Sequence, residues 1–164
     1  MNFKTYLEEG RDAPLYHATS LNKALNIIKQ GEIKAYKEHG DTILGVSLTR
    51  NFKFAVNWNL ETEEGAIFEL DQRKLSQRHK IKAHNFFSKK KSTRYPENAN
   101  GLNPQDMNEY EERIMGSVKN VDKYISKIHI DHRDYTYYKK LNDTFYEKII
   151  THPLLFVKGK FVNA

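Results

Sequence analysis

Leu15-Tyr16-His17-Ala18-Thr19-Ser20-Leu21-Asn22-Lys23-Ala24-Leu25-Asn26-Ile27-Ile28-Lys29-Gln30-Gly31 is the stretch on which the fold reading turns. Leu15 to His17 reads as a short strand, and Thr19 or Ser20 stands where a helix cap belongs. Leu21, Ala24, Leu25 and Ile28 then share one face of a helix to about Gln30, and Gly31 stops it as a C-terminal cap. A strand passing straight into a helix points to a mixed class.

Val46 to Leu48 reads as a second strand, leading through Thr49-Arg50-Asn51 into a short helix from Phe52 to Asn59 that Asn51 can cap. Gly65 to Leu70 is a further strand, and His79 to Lys82 has weaker strand character. Ser88 to Pro104 is polar, carries loop signals and is too long for an ordinary connection. Glu111 to Met115 begins another strand, and Lys123 to Ile130 alternates with the period of a half-buried one. Tyr135, Tyr138, Leu141, Phe145 and Ile149 recur at helical spacing, and Leu154 to Val157 closes the chain as a last strand. The expected class is α+β with many short strands and few helices, neither a βαβ repeat nor a bundle.

A chain of 164 residues with 38% hydrophobic and 12% aromatic residues suits one domain spanning 1–164. There is no Cys, which excludes disulfides, thiol redox chemistry and thiolate metal sites, and favours an intracellular protein. No apolar run reaches the roughly 20 residues of a membrane span, and Met1 to Arg11 lacks the pattern of a signal peptide. The expectation is a cytoplasmic monomer without a membrane partner. His129-x-x-His132 and His152 lack the spacing of a metal set, and no Gly-rich phosphate loop or GxSxG elbow occurs, so no metal is expected.

The net charge is +6 and the pI about 9.3, a balance that favours polyanionic partners. Arg73, Lys74, Arg78, Lys80, Lys82, Lys89, Lys90, Lys91 and Arg94 succeed one another without an intervening acid. Phe86, Phe87 and Tyr95 lie inside or beside this run, so it offers cations for phosphates and rings for bases. A solvated loop beside an anionic pocket explains the same composition.

Three motifs then stand in order: His17-Ala18-Thr19 before a helix and Gly31, Gly45-Val46-Ser47-Leu48-Thr49 before a helix containing Ala55, and Glu112-Arg113-Ile114 opening a late strand. Their order and spacing, over residues 14 to 130, resemble the ADP-ribosyltransferase superfamily, in its poly(ADP-ribose) polymerase and diphtheria-toxin-like branch. The resemblance implies two small twisted sheets around a cleft for nicotinamide adenine dinucleotide (NAD), flanked by helices. It also implies a toxin-like mono-ADP-ribosyltransferase that breaks the nicotinamide-ribose bond and passes ADP-ribose to a macromolecular acceptor. NAD is a co-substrate, and DNA or RNA, or next an acidic protein, is the expected acceptor.

Loss of nicotinamide leaves a cationic ribose carbon, which a nearby carboxylate stabilises. By the resemblance Glu112 is that carboxylate, His17 hydrogen-bonds a ribose, the Ala18 backbone meets the nicotinamide amide and Thr19 lies near the ribose. Ala18 stands where Gly is usual, which requires a negative φ there. Ser47 occupies the position of a stacking Tyr, so Tyr16, Phe52, Phe54 or Trp58 must supply the ring. The resemblance also implies that Ser47 and Thr49 contact the cofactor, and Arg50 can clamp the pyrophosphate or an acceptor. Glu109-Tyr110-Glu111 resembles the Glu-x-Glu pair of arginine-targeting toxins and makes Glu111 the alternative catalytic carboxylate. Neighbours on a strand point oppositely, so only one of Glu111 and Glu112 faces the pocket. Lys89, Lys90, Lys91, Arg94 and Tyr95 precede Glu112 as acceptor-recognition loops do in this superfamily, and are expected to bind the acceptor. The alternative functions are an NAD glycohydrolase or RNA 2′-phosphotransferase of the same superfamily, or a basic nucleic-acid-binding protein without catalysis.

Overall fold

A computed structural model describes residues 13–37, 44–61, 65–83, 111–141, 144, 146–157 and 160–161. The class is α+β. Strand β1 (Leu15–Ser20) runs into helix α1 (Leu21–Gln30), followed by β2 (Glu32–Ile33), β3 (Gly45–Thr49) and α2 (Phe52–Glu61). Then come β4 (Gly65–Leu70), α3 (Gln72–Ser76), β5 (Ile81–Ala83), β6 (Glu111–Met115) and β7 (Val118–Lys119). A 3-10 turn at Val121–Lys123 precedes β8 (Ile125–Ile130), α4 (His132–Leu141), α5 (Glu147–Ile150), β9 (Leu155–Val157) and β10 (Lys160–Phe161).

Eight strands form one sheet in the order β10-β9-β8-β4-β1-β3-β6-β5, and β2 and β7 form a two-stranded ribbon. This differs from the expected pair of small sheets, yet the large sheet has a weak seam. β1 and β4 pair along their whole length from Leu15↔Leu70 to Ser20↔Gly65, and β3 and β6 from Gly45↔Met115 to Thr49↔Glu111. Between those two blocks, β1 meets β3 in register only at Tyr16↔Thr49.

Side chains alternate across the sheet. One side is apolar: Leu15, Val46, Leu48, Ala66, Phe68, Ile114, Ile128 and Leu155 join a buried cluster with Leu21, Ala24 and Ile27 of α1. Burying these rows fixes the strand registers, because a slip of one residue would turn every one of them outward. Helix α1 ends at Gly31, whose φ of 64° is left-handed and whose N–H donates to Ile27 O at 2.8 Å. Ser20 holds the N-cap position with no side-chain cap bond, so the expected capping hydroxyl is not used. On the other side of the sheet Phe52, the first residue of α2, packs against Tyr16, with ring centroids 5.1 Å apart. Asn51 does cap α2, its Oδ1 accepting from Phe54 N at 3.2 Å.

The helical spacing from Tyr135 to Ile149 divides into α4 and α5 rather than one helix. The sequence Asn142-Asp143-Thr144 between them favours caps and turns over helix interiors. The expected loop Ser88 to Pro104 lies outside the described residues. Among those described, no helix is long and apolar enough to cross a membrane.

Candidate active site

Three adjacent strands, β1, β3 and β6, bring together the residues singled out in the sequence, and alternation sorts them onto two sides. His17 falls between Leu15 and Thr19 on the core-facing side of β1, opposite Phe68 in β4. Glu112 is opposite Leu48, also on the core-facing side. At the usual strand spacing the backbones of β1 and β6 are about 10 Å apart. Tyr16, Ala18, Ser47 and Thr49 belong to the opposite side, so the expected constellation is divided by the sheet.

His17 spans the seam. Its Nδ1 lies 3.0 Å from the carbonyl oxygen of Ser47. A carbonyl only accepts, so Nδ1 carries the proton and Nε2 is the acceptor of the neutral ring. Burial lowers the His17 pKa, the Ser47 carbonyl opposes that shift and the charge of Lys23 adds to it. The net result is a neutral imidazole at pH 7 with a defined tautomer.

Glu112 is buried, and its Oε1 accepts from Arg50 Nε in a close ion pair. Arg50 Nη1 donates to Gln72 Oε1 at 2.8 Å, and Gln72 is itself buried at the first position of α3. The pair is therefore held from β3, β6 and α3 at once, with side-chain exposures of only 16% for Arg50 and 10% for Glu112. A paired charge at such depth is oriented rather than left to wander in solvent. Glu111 begins β6 in register with Thr49. Its side chain lies outside the described residues.

Gly45 has a packing reason. A Cβ there would meet Arg113 Cγ and Ile114 O at 2.7 Å each. The space goes to Arg113, a guanidinium-bearing side chain only 2% exposed, whose Nη2 donates to Ser47 Oγ at 3.1 Å. Ser47 thus serves a buried arginine through its hydroxyl and His17 through its carbonyl. Thr49 is buried, and its Oγ1 accepts from Asn51 N at 3.0 Å, which shapes the turn that presents Arg50. Asn120 is the one non-glycine residue with positive φ among those described, so Ala18 keeps the negative φ required of it. Thr19 is buried at the end of β1.

Candidate stacking rings fall on the far side of the sheet. Tyr16 packs on Phe52, Phe52 on His129 at 4.9 Å, and His129 on Phe156 at 5.2 Å between centroids. Phe54 is half-buried in α2, and the Trp58 side chain lies outside the described residues. Beneath this row Glu69 accepts from His129 Nε2 at 2.9 Å, from Ser126 Oγ at 3.1 Å and from Lys127 Nζ at 3.3 Å. Burial would raise the Glu69 pKa, but those donors outweigh it and hold the carboxyl below its ordinary value. Burial also raises the Tyr16 phenol, with help from the Glu69 charge.

No family model, curated protein or solved structure matches this chain. The site therefore rests on its own residues.

Gln72 and Arg113 belong to the candidate site although the sequence reading assigns neither a role there. Arg113 had a signal, since Gly45 stands where a strand needs room for a large neighbour. Nothing local marks Gln72, which acquires its partner only through the packing of α3. Lys89, Lys90, Lys91, Arg94 and Tyr95 lie outside the described residues. A concavity of about 620 Å³ beside Gly31 and Asn120 shares no residue with the Glu112 cluster, and mixes Lys29, Lys119 and Lys123 with Glu32 and Asp122. Among the described residues no three His, Asp or Glu side chains group as metal ligands.

Proposed function

We propose that the chain is a mono-ADP-ribosyltransferase with an ADP-ribosyltransferase-like fold, using NAD as co-substrate. The observation that carries this reading is the joint placement of His17 and Glu112 on one side of the sheet, flanking Leu48, where β1 and β3 part. A neutral imidazole with an acceptor role at Nε2 suits a ribose hydroxyl. An oriented carboxylate two strands away suits the ribose carbon that becomes cationic as nicotinamide leaves.

In the proposed reaction the bond between nicotinamide and the ribose C1 breaks, and its electron pair leaves with nicotinamide. An acceptor nucleophile forms the new bond at that carbon and releases its proton to solvent. Arg50 orients Glu112 through Oε1 and leaves Oε2 as the oxygen assigned to the ribose. Gln72 holds Arg50 in turn and is a positioning residue. Glu112 is preferred to Glu111 because it shares the core-facing side with His17.

The test is incubation with NAD labelled on its adenosine half, alone and with mixtures of protein or nucleic acid. Label on a macromolecule that is lost in Glu112→Gln supports transfer. Free ADP-ribose in place of labelled acceptor moves the reading to a glycohydrolase, and intact NAD throughout overturns it.

A further inference from the structure

Residues 73–82 form an exposed cationic span that is anchored at both ends to the Glu112 cluster. At its start Gln72 accepts from Arg50, and the next two residues of α3, Arg73 and Lys74, face solvent. At its end Ala83 pairs with Glu112 in the β5–β6 ladder, directly after the exposed Lys82. Arg78 and Lys80 are exposed between them. Leu75 is buried beneath, and its carbonyl receives both Arg78 N at 3.1 Å and His79 N at 2.9 Å, so the span is a fixed turn clamped to the core.

The charge is one-sided. Asp71, just before the span, pairs with Lys74 at 3.3 Å and caps α3 through Lys74 N. From Arg73 to Arg94 the sequence has no acid at all. Glu112, the nearest carboxylate along the ladder, is already taken by Arg50. Arg78, Lys80 and Lys82 are exposed within this acid-free stretch, and closely spaced cations of that kind raise a positive surface potential that attracts polyanions.

We infer that this span binds the phosphodiester backbone of a nucleic acid along the β5 edge of the sheet, next to the strand that carries Glu112. A phosphodiester chain carries a charge at every unit and so engages closely spaced cations in any sequence. An acidic protein must instead place carboxylates to match each one. The inference rests on the proposed transferase for its catalytic meaning, since it makes nucleic acid the acceptor. The binding itself does not depend on that reading.

The test is anisotropy of a fluorescent single-stranded oligonucleotide titrated with the full chain, without NAD, between 50 and 200 mM salt. Three phosphate contacts, from Arg78, Lys80 and Lys82, predict an affinity loss of about 20-fold across that range, from a slope of about −0.7 per contact. The variant Arg78→Gln/Lys80→Gln/Lys82→Gln should flatten the slope by roughly 2 and remove nearly all of that loss. Circular dichroism and thermal unfolding check its fold, and the single variants Lys80→Gln and Lys82→Gln should each flatten the slope by about 0.7. Binding without salt dependence, an unchanged slope in the variants, or equal affinity for poly-glutamate overturns the inference. Because NAD is absent, a failed transferase assay leaves this outcome unaffected.

Discussion

Replacing Gly45 by alanine is expected to destabilise the chain, although alanine is ordinarily the better residue in an ordered backbone. The added Cβ would stand 2.7 Å from Ile114 O, 2.7 Å from Arg113 Cγ and 2.9 Å from Arg113 Cδ. Ordinary contact begins near 3.4 Å. The Arg113 methylenes have little room to yield, since that side chain is 2% exposed and tied to Ser47. The Ile114 carbonyl belongs to the backbone of β6, paired with β3 through Val46↔Ile114, so moving it disturbs the ladder. Overpacking of this kind costs about 1–3 kcal/mol, and the lower chain entropy of alanine returns about 0.4–1 kcal/mol. The net loss is about 1–2 kcal/mol, or a fall in Tm of roughly 2–8 °C for a chain of this size. Thermal unfolding followed by circular dichroism, with urea denaturation as a second measure, reads the change. A variant with a Tm equal to or above the parent refutes the close approach of Arg113 and with it the packing account of the glycine.

Other perturbations separate chemistry from support. Glu112→Gln should keep Arg50 hydrogen-bonded while lowering NAD cleavage by about 10²-fold or more, in line with removal of one transition-state electrostatic partner; unchanged turnover in a radiolabel assay removes Glu112 from the mechanism. Asn51→Ala should cost about 1 kcal/mol in urea unfolding through loss of the α2 cap, and a cost near zero contradicts the bond to Phe54 N. His17 and His129 are both held below the ordinary histidine value, chiefly by burial. The unfolded chain therefore binds more protons as the pH falls below about 6.5, and stability present above that pH declines on acidification. The low carboxyl pKa of Glu69 adds a second loss below about 4.5. A Tm that stays constant or rises from pH 7.5 to 5.5 contradicts this, and His17→Gln, which retains a donor for Ser47, should flatten part of the slope.

The extent of helix α1 is legible from Leu21, Ala24 and Leu25 and the glycine after Gln30, because these are local properties, although Ile27 rather than Ile28 is the buried isoleucine and the Ser20 hydroxyl makes no cap bond. β1 extends beyond the expected His17 to Ser20, since Ala18, Thr19 and Ser20 find partners in Ile67, Ala66 and Gly65 of β4. Those residues have weak strand preference of their own, and tertiary pairing overrides it. β5 is shifted to Ile81–Ala83 for the same reason, its limits being set by Ile114 to Glu112. In the site, the alternation rule puts Glu112 on the side of its ladder partner Leu48. The ion pair to Arg50 is beyond it, because 62 residues separate the partners and only the fold sets β3 against β6. Ser47 and Thr49 read as ligand contacts in the sequence; the fold adds that their hydroxyls accept from Arg113 and from Asn51 N. A serine that bonds a buried side chain and one that bonds a ligand are indistinguishable until the neighbour across the ladder is known.

The seam between β1 and β3 gives the large sheet the mechanics of a book. To part β1 from β4 breaks pairing from Leu15 to Ser20, and to part β3 from β6 breaks it from Gly45 to Thr49. To part β1 from β3 breaks the ladder only at Tyr16↔Thr49 and the imidazole clasp on Ser47. Two stiff leaves thus meet at a narrow spine, and His17 is its stitch. Amide exchange should rank the same way, fastest for groups directed at the spine and slowest inside each leaf, so that the least-protected line in the sheet runs past His17 and Ser47.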